Sequence, residues 1–271
     1  MTGLLEDRAL IAISGGEAKT FLQGLITNDV QALAPGKAIY AALLTPQGKI
    51  LFDFFVVERD ESLLLDCWLP ARESLLKRLL MYRLRAKLDI VPRDDLSIVG
   101  SWEGDLRSLD EELCLDPRVP GLGFRGIGHG GSNPVVYNAL DYQAHRLSLG
   151  VPEGEDFGQD KMFALDAGLE ELNGVSFDKG CYVGQELTAR MKHRGTARKR
   201  LLVVESIEGA ALPPPDTVVR AGGRELGTIT SAYGFRGFAL VRLDRLEESG
   251  GEPADADGHS IRVVKPGWLA P

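Results

Sequence analysis

Cys181 stands in the run Lys179-Gly180-Cys181-Tyr182-Val183-Gly184-Gln185-Glu186. From Lys179 to Arg200 there are seven basic residues against one acid, Glu186, a local balance of +6 inside a chain of formal charge −8. A thiol among cations, at a helix N-terminus if one opens after Gly180, has its thiolate favoured by charge and dipole. Such a thiolate is a nucleophile and a soft-metal ligand. The same residue types equally describe a buried structural cysteine beside a solvated basic helix face, because free cysteine is among the most buried residues. His193 is the nearest candidate base for a nucleophile–base pair, but a separation of twelve residues carries no signature of a cysteine hydrolase. Cys67 reads as core on an apolar strand. Cys114 sits in an acidic segment that would raise its pKa.

Other chemistry is thinly represented. Gly121-Leu-Gly123-Phe-Arg-Gly126 fits the dinucleotide pattern G-x-G-x-x-G. No helix pattern follows it, since Gly128, Gly130, Gly131 and Pro134 come next, so it reads as a glycine-rich loop. The phosphate-loop, H-E-x-x-H and G-x-S-x-G patterns are absent. Three cysteines without a CxxC pair, and four scattered histidines, argue against a structural zinc site or a disulfide framework. They also lack the grouping of thiolates that a resident iron–sulfur cluster needs.

These residues need a scaffold, and 271 of them are enough for one large domain or a large and a small one. The acidic balance opposes a general nucleic-acid coat, although an average hides a local basic island. No run of about 18 apolar residues predicts a membrane span. The acidic N-terminus is unlike a transit peptide, and the cysteine usage fits a reducing compartment, so a cytoplasmic location is expected.

Residues 8–13 predict a strand, after which Ser14 and Glu17 have the spacing of a capping box for a helix with Phe21, Leu22, Leu25 and Ile26 on its apolar face. That helix is expected to stop at Thr27-Asn28-Asp29. Strands are predicted over 38–44 and 50–57, joined by the turn Thr45-Pro46-Gln47-Gly48, and over 63–67. Pro70 opens a helix in which Leu75, Leu76, Leu79, Leu80 and Leu84 share a face. Strands at 88–91 and 96–102 follow. The acidic stretch 103–116 reads as a solvated loop, or edge, between elements, and a helix is predicted from Asn138 to about Leu149. Beyond about residue 196, short strands near 201–204, 217–220, 225–231, 238–243 and 261–264 predict a small β-barrel or sandwich. The class is α+β, with an α+β region over 1–195 and the β domain over 196–271.

The run 179–186, with Arg190 and Gly195, resembles the signature of the YgfZ family of folate-binding proteins, which includes mitochondrial iron–sulfur cluster assembly factors. The likeness extends through Asn173-Gly174-Val175-Ser176-Phe177. It recurs in Phe21-Leu22-Gln23-Gly24-Leu25-Ile26-Thr27-Asn28-Asp29-Val30 and in Thr45-Pro46-Gln47-Gly48-Lys49. This family is similar in fold to the aminomethyltransferase (T-protein) of the glycine cleavage system. The resemblance implies an α+β region around a central folate cavity, followed by a smaller β-barrel.

It also implies tetrahydrofolate or a derivative as cofactor, with Asn28, Asp166, Gln185, Arg190 and Lys192 as binding residues. Asp166 would accept two hydrogen bonds from the pterin's amino-pyrimidinone edge; where relatives have Pro-x-Glu, this chain has Ala164-Leu165-Asp166. Arg190, Lys192 and Arg194 would attract the glutamate tail. The implied function is support for assembly or repair of [4Fe–4S] clusters in client enzymes, including radical enzymes that modify tRNA. Cys181 would be the reactive thiol or the ligand of a transient iron–sulfur cluster. Partners would then be folate and assembly or client proteins, with only indirect contact to tRNA and none to a membrane. The alternative is a folate-dependent one-carbon transferase with Asp53 as its acid–base group, although strand alternation leaves open whether Asp53 faces solvent.

Overall fold

The computed structural model describes residues 1–102, 112–129, 137–195 and 198–269. Most of the acidic stretch, residues 103–111, and Gly130, Gly131 and Pro134 of the glycine-rich run lie outside them.

Strands β1 (Thr2–Leu4) and β2 (Arg8–Ser14) precede helix α1 (Ala18–Gln23) and the hairpin of β3 (Ala38–Leu44) and β4 (Ile50–Arg59). Then come β5 (Ser62–Trp68), α2 (Arg72–Arg83), β6 (Asp89–Pro92), β7 (Leu96–Ser101), β8 (Glu112–Leu115), β9 (Phe124–His129), α3 (Ala139–Ser148) and α4 (Gln185–Arg194). One antiparallel sheet has the order β3-β4-β5-β2-β6 and a second the order β1-β7-β9-β8.

The larger sheet is covered on both faces, which is why its strands read as unbroken apolar runs. Alternation sends Ile11, Ile13, Leu43, Phe54 and Val56 toward α1 and α2, where they meet Leu22, Leu75 and Leu79. Leu10, Ala12, Tyr40, Ala42 and Phe55 point the other way, toward Ile98 and Ile127 of the second sheet. The remaining strands form a closed six-stranded barrel. They are β10 (Lys199–Ser206), β11 (Val218–Ala221), β12 (Arg224–Tyr233), β13 (Arg236–Arg242), β14 (Ala254–Ala256) and β15 (His259–Val264), with a short helix α5 (Leu243–Glu248) before β14. Leu201, Val203 and Phe238 of the barrel join the core between the two sheets. The α+β class with a C-terminal barrel is what the sequence predicts.

Several local expectations give way to tertiary contacts. Ser14 ends β2 rather than capping α1, and the Glu17 carboxylate accepts from the backbone N–H of Lys87 instead of closing a capping box. Helix α1 stops at Gln23, ahead of the expected Thr27-Asn28-Asp29. On α2 only Leu75 and Leu79 are buried, whereas Leu80 and Leu84 face solvent. Part of the acidic stretch is strand β8, which lies at the edge of the second sheet, but Asp116 just beyond it is buried rather than solvated. The Gly126 of the glycine-rich pattern lies within β9.

Between the sheets lies a network of buried charges. Arg8 and Arg125 both donate to Asp66, at 2.7 and 2.6 Å. Arg118 donates to Asp116 at 2.8 Å and to Glu153 at 2.6 Å, and Arg146 donates to Asp156 at 2.6 Å. The Tyr142 hydroxyl accepts from Arg118 and Arg125. The Phe55 ring lies under Arg125 and Arg118, 4.1 and 4.7 Å from centroid to guanidinium carbon. Every charge has its counter-charge within bonding distance, which buried ions require. Four cations around Glu153 hold its carboxyl below the usual carboxylate range despite its burial.

Candidate functional site

The Cys181 loop and the residues just before it are fastened at three places to two motif segments, 21–30 and 45–49. Lys179, itself buried, donates its ammonium protons to the carbonyl oxygens of Gln23 (2.8 Å), at the end of α1, and of Ile26 (2.6 Å) and Asn28 (2.8 Å) just beyond it. Burial pushes the Lys179 pKa down to about 8, with Asp29 opposing. Just upstream, the Thr27 hydroxyl donates to the Gly174 carbonyl at 2.6 Å, and the Ser176 N–H donates to the Thr27 carbonyl at 3.0 Å. On the third side Gly184, at φ +82°, meets the hairpin turn. A Cβ there would stand 2.5 Å from the Thr45 carbonyl oxygen and 3.1 Å from the Gly48 Cα. Only glycine fits both the backbone conformation and the approach.

Cys181 is exposed, while Cys67 and Cys114 are buried. Burial pushes Cys67 up to about 12 and Cys114 to about 11, so burial, ahead of the acidic neighbours, dominates the Cys114 shift. The buried-cysteine reading thus fails for Cys181 and holds for the other two. Helix α4 begins at Gln185, four residues after the thiol rather than at Gly180. Its cations lie at the far end. His193 is about 12 Å along the helix axis from the first turn, so it is not a base for Cys181. Among the described residues no group of three His, Cys, Asp or Glu side chains is placed to hold a metal ion.

The basic residues of α4 divide. Lys192 is ion-paired to Glu170 and lies over the Phe177 ring. Arg190 and Arg194 are exposed and form no ion pair among the described residues. Gln185 is partly exposed in the first turn. The Asn28 amide is committed within the protein, donating to the carbonyls of Tyr40 (2.7 Å) and Asn173 (2.8 Å) and accepting from the Asp29 N–H. It borders an open hollow of about 490 Å³ with Asn173, Phe177 and Asp178.

Asp53 faces the interior, not solvent. Its carboxylate accepts from the Tyr40 hydroxyl and the Gly154 N–H, both at 3.0 Å, at the base of a cavity of about 120 Å³ walled by Trp68 and Phe157. Burial raises its pKa, against the lowering pull of Arg8. Asp166 is also buried, and no hydrogen bond to its carboxylate forms among the described residues. Burial raises it to about 6, with Arg200 and Lys199 opposing. A buried carboxylate without a donor has the chemistry to receive a two-donor ligand edge such as that of a pterin. No contact joins Cys181 to Asp53 or Asp166. Sequence reasoning counted Lys179 only as a charge and missed Arg118, Arg125, Arg146 and Glu153. The one available signal was a lysine two residues before the cysteine, which spacing alone does not assign to carbonyl binding.

Residues 198–271 match the family model of the CAF17 C-terminal beta-barrel domain, and residues 7–72 that of the GCVT N-terminal domain. The human protein named iron–sulfur cluster assembly factor IBA57, mitochondrial, is 32% identical over 276 residues, covering 90% of this chain and 78% of that protein. The chain belongs to the IBA57 family. A Mycosarcoma maydis homolog carrying the same factor's name is 34% identical over 235 residues, of which the chain spans 58% of the length. The crystal structure of the glycine cleavage system aminomethyltransferase T from Bartonella henselae superposes with a TM-score of 0.77 at 15% identity, over 99% of this chain and 86% of that one. At that identity the likeness is one of fold. The cytoplasmic expectation is overturned, because these family members are named mitochondrial proteins. Free thiols and a lack of long apolar runs report redox state and hydrophobicity, which the matrix and the cytoplasm share.

Proposed function

We propose that this chain is an iron–sulfur cluster assembly factor of the YgfZ type that presents Cys181 as a ligand for a cluster in passage. The observation that carries this reading is one exposed thiol on a loop fastened by two separate segments, in a chain whose relatives are named assembly factors. One thiolate does not hold a cluster, so the remaining ligands come from the protein that delivers or receives it. Lys179 and Gly184 fix the loop, and the thiol meets its partner without ordering a flexible segment first.

Reduced folate is the proposed cofactor, with Asp166 accepting from the amino-pyrimidinone edge. Bound there, it would supply a carrier for one-carbon groups or a structural ligand. Exposed Arg190 is available to the glutamate tail, whereas Asn28 and Lys192 are already engaged within the protein. Client enzymes would include radical enzymes that modify tRNA. The alternative, one-carbon transfer with Asp53 as the acid–base group, is favoured by the raised pKa of that buried carboxyl. Against it, both Asp53 oxygens already accept hydrogen bonds.

The test is replacement of Cys181 by Ser in cells that depend on this chain. A fall in the activity of [4Fe–4S] enzymes at unchanged protein level supports the reading, and undiminished activity rejects the thiol's role. Incubation with tetrahydrofolate and an aminomethyl donor decides the alternative through methylenetetrahydrofolate formation and its loss in Asp53→Asn.

A further inference from the structure

Helix α2 and the turn after it form a second basic island, remote in sequence from that of α4. Residues 72–87 hold six basic side chains against the single acid Glu73. Arg72 is paired with Asp94, but Lys77, Arg78, Arg85 and Lys87 form no ion pair among the described residues. Set among these cations are three apolar side chains that the fold leaves in water: Leu80 at 43% exposure, Met81 at 56% and Leu84 at 86%. Leu84 caps the helix at φ +46° and ψ −105°, a conformation that suits glycine, and a leucine there gains no burial in return. Nothing in the folding of this chain calls for it.

We propose that this end of α2 is a docking surface for an anionic phospholipid membrane. Its make-up favours lipid over a protein partner. The patch is an exposed helix end: among the described residues the four main cavities are lined by other parts of the chain, and Leu80, Met81 and Leu84 face solvent. Residues 72–87 carry four arginines and two lysines, and a cluster of four to eight such cations on a helix is the pattern that binds anionic headgroups. Apolar side chains flanked by Arg83 and Arg85 suit insertion at the headgroup boundary, with the long cationic stems reaching back to phosphate. A chain of net charge −8 is repelled by an anionic surface as a whole, so attachment has to be local and oriented.

The orientation leaves the thiol accessible. Helix α2 packs on β2 and β6 at one edge of the five-stranded sheet, while the Cys181 loop meets the β3–β4 turn at the other. No helix of the described residues is long and apolar enough to cross a membrane, so the contact is peripheral.

Co-sedimentation of the full chain with phosphatidylcholine vesicles, with and without phosphatidylglycerol, tests this directly. Binding is expected only to the anionic vesicles and weakens steeply as salt rises to roughly 0.5 M. Leu84→Gly suits the backbone at that position and keeps the fold, yet is expected to weaken partition about tenfold. Arg78→Glu and Arg85→Glu are each expected to weaken it about tenfold or more. Arg194→Glu on α4 is expected to leave it unchanged. Equal binding to neutral vesicles, no binding, or binding abolished only by Arg194→Glu overturns the proposal. So does binding of poly-glutamate through Leu84 and Arg85 without binding of anionic vesicles, which would make the patch a protein-docking face.

Discussion

The Lys179 Nζ lies 2.6 Å from the carbonyl oxygen of Ile26 and also reaches the carbonyls of Gln23 and Asn28. One ammonium with three protons satisfies one carbonyl at the end of α1 and two in the segment that follows it. The segment two residues before the exposed thiol is thereby tied to a segment some 150 residues upstream. Replacing Lys179 with Met keeps the stem and removes the donors. We expect a loss of about 1–3 kcal/mol in urea unfolding, as for buried acceptors left without partners. Faster alkylation of Cys181 is expected to accompany it as the loop loosens.

Gly184 is a second fixed point of that loop. Gly184→Ala puts a methyl against the Thr45 carbonyl and forces a left-handed backbone on a residue that resists it. A destabilisation of about 2 kcal/mol or more is expected by thermal or urea unfolding. By contrast, Gly180→Ala meets no atom within 4 Å and is expected to leave stability nearly unchanged.

Asp166 gives a pH signature. Its folded pKa, near 6, lies above the ordinary aspartate value, so the folded state holds the proton more tightly. The stabilisation from this group is fully present below the unfolded value of about 4 and is lost as pH rises through 6. Asp166→Asn is therefore expected to be more stable than the parent at pH 7, on the order of 1–2 kcal/mol, with the difference fading below pH 4. Tetrahydrofolate binding should show the opposite dependence. It strengthens as pH rises through 6 and the acceptor ionises, and it disappears in Asp166→Ala by calorimetric titration.

Arg118 is a fully enclosed member of the charge network. Arg118→Met leaves Asp116 and Glu153 buried without their principal cation. The expected cost is about 3–5 kcal/mol in urea unfolding, far above that of any surface ion pair in the chain. Asp116→Asn is expected to cost less, because the amide still offers an acceptor to the guanidinium.

What the sequence discloses and what it hides follow from the range of the forces involved. The hairpin 38–57 is readable because period-two alternation and a Pro-Gly turn are local, and the two strands pair where expected. Lys179 and the arginines of the network are not readable, because their partners lie tens of residues away and their types suggest solvent. Glu17 shows the same limit: its spacing from Ser14 promises a cap, while the folded chain brings Lys87 closer. Cys181 stands out in the sequence by its type and setting, but its exposure is readable only once Lys179 and Gly184 fix which way the loop turns.

The barrel's outer residues Leu201, Val203 and Phe238 sit in the same core as Leu10 and Phe55, and Asp156 accepts from the barrel's Tyr233 while bound to Arg146. The barrel is thus a wall of the sheet–sheet interior, not an appendage to it. Loosening it would uncover apolar surface and strand a buried carboxylate together. Folding is accordingly all-or-none across the joint, and heat should melt barrel and sheets in one cooperative transition.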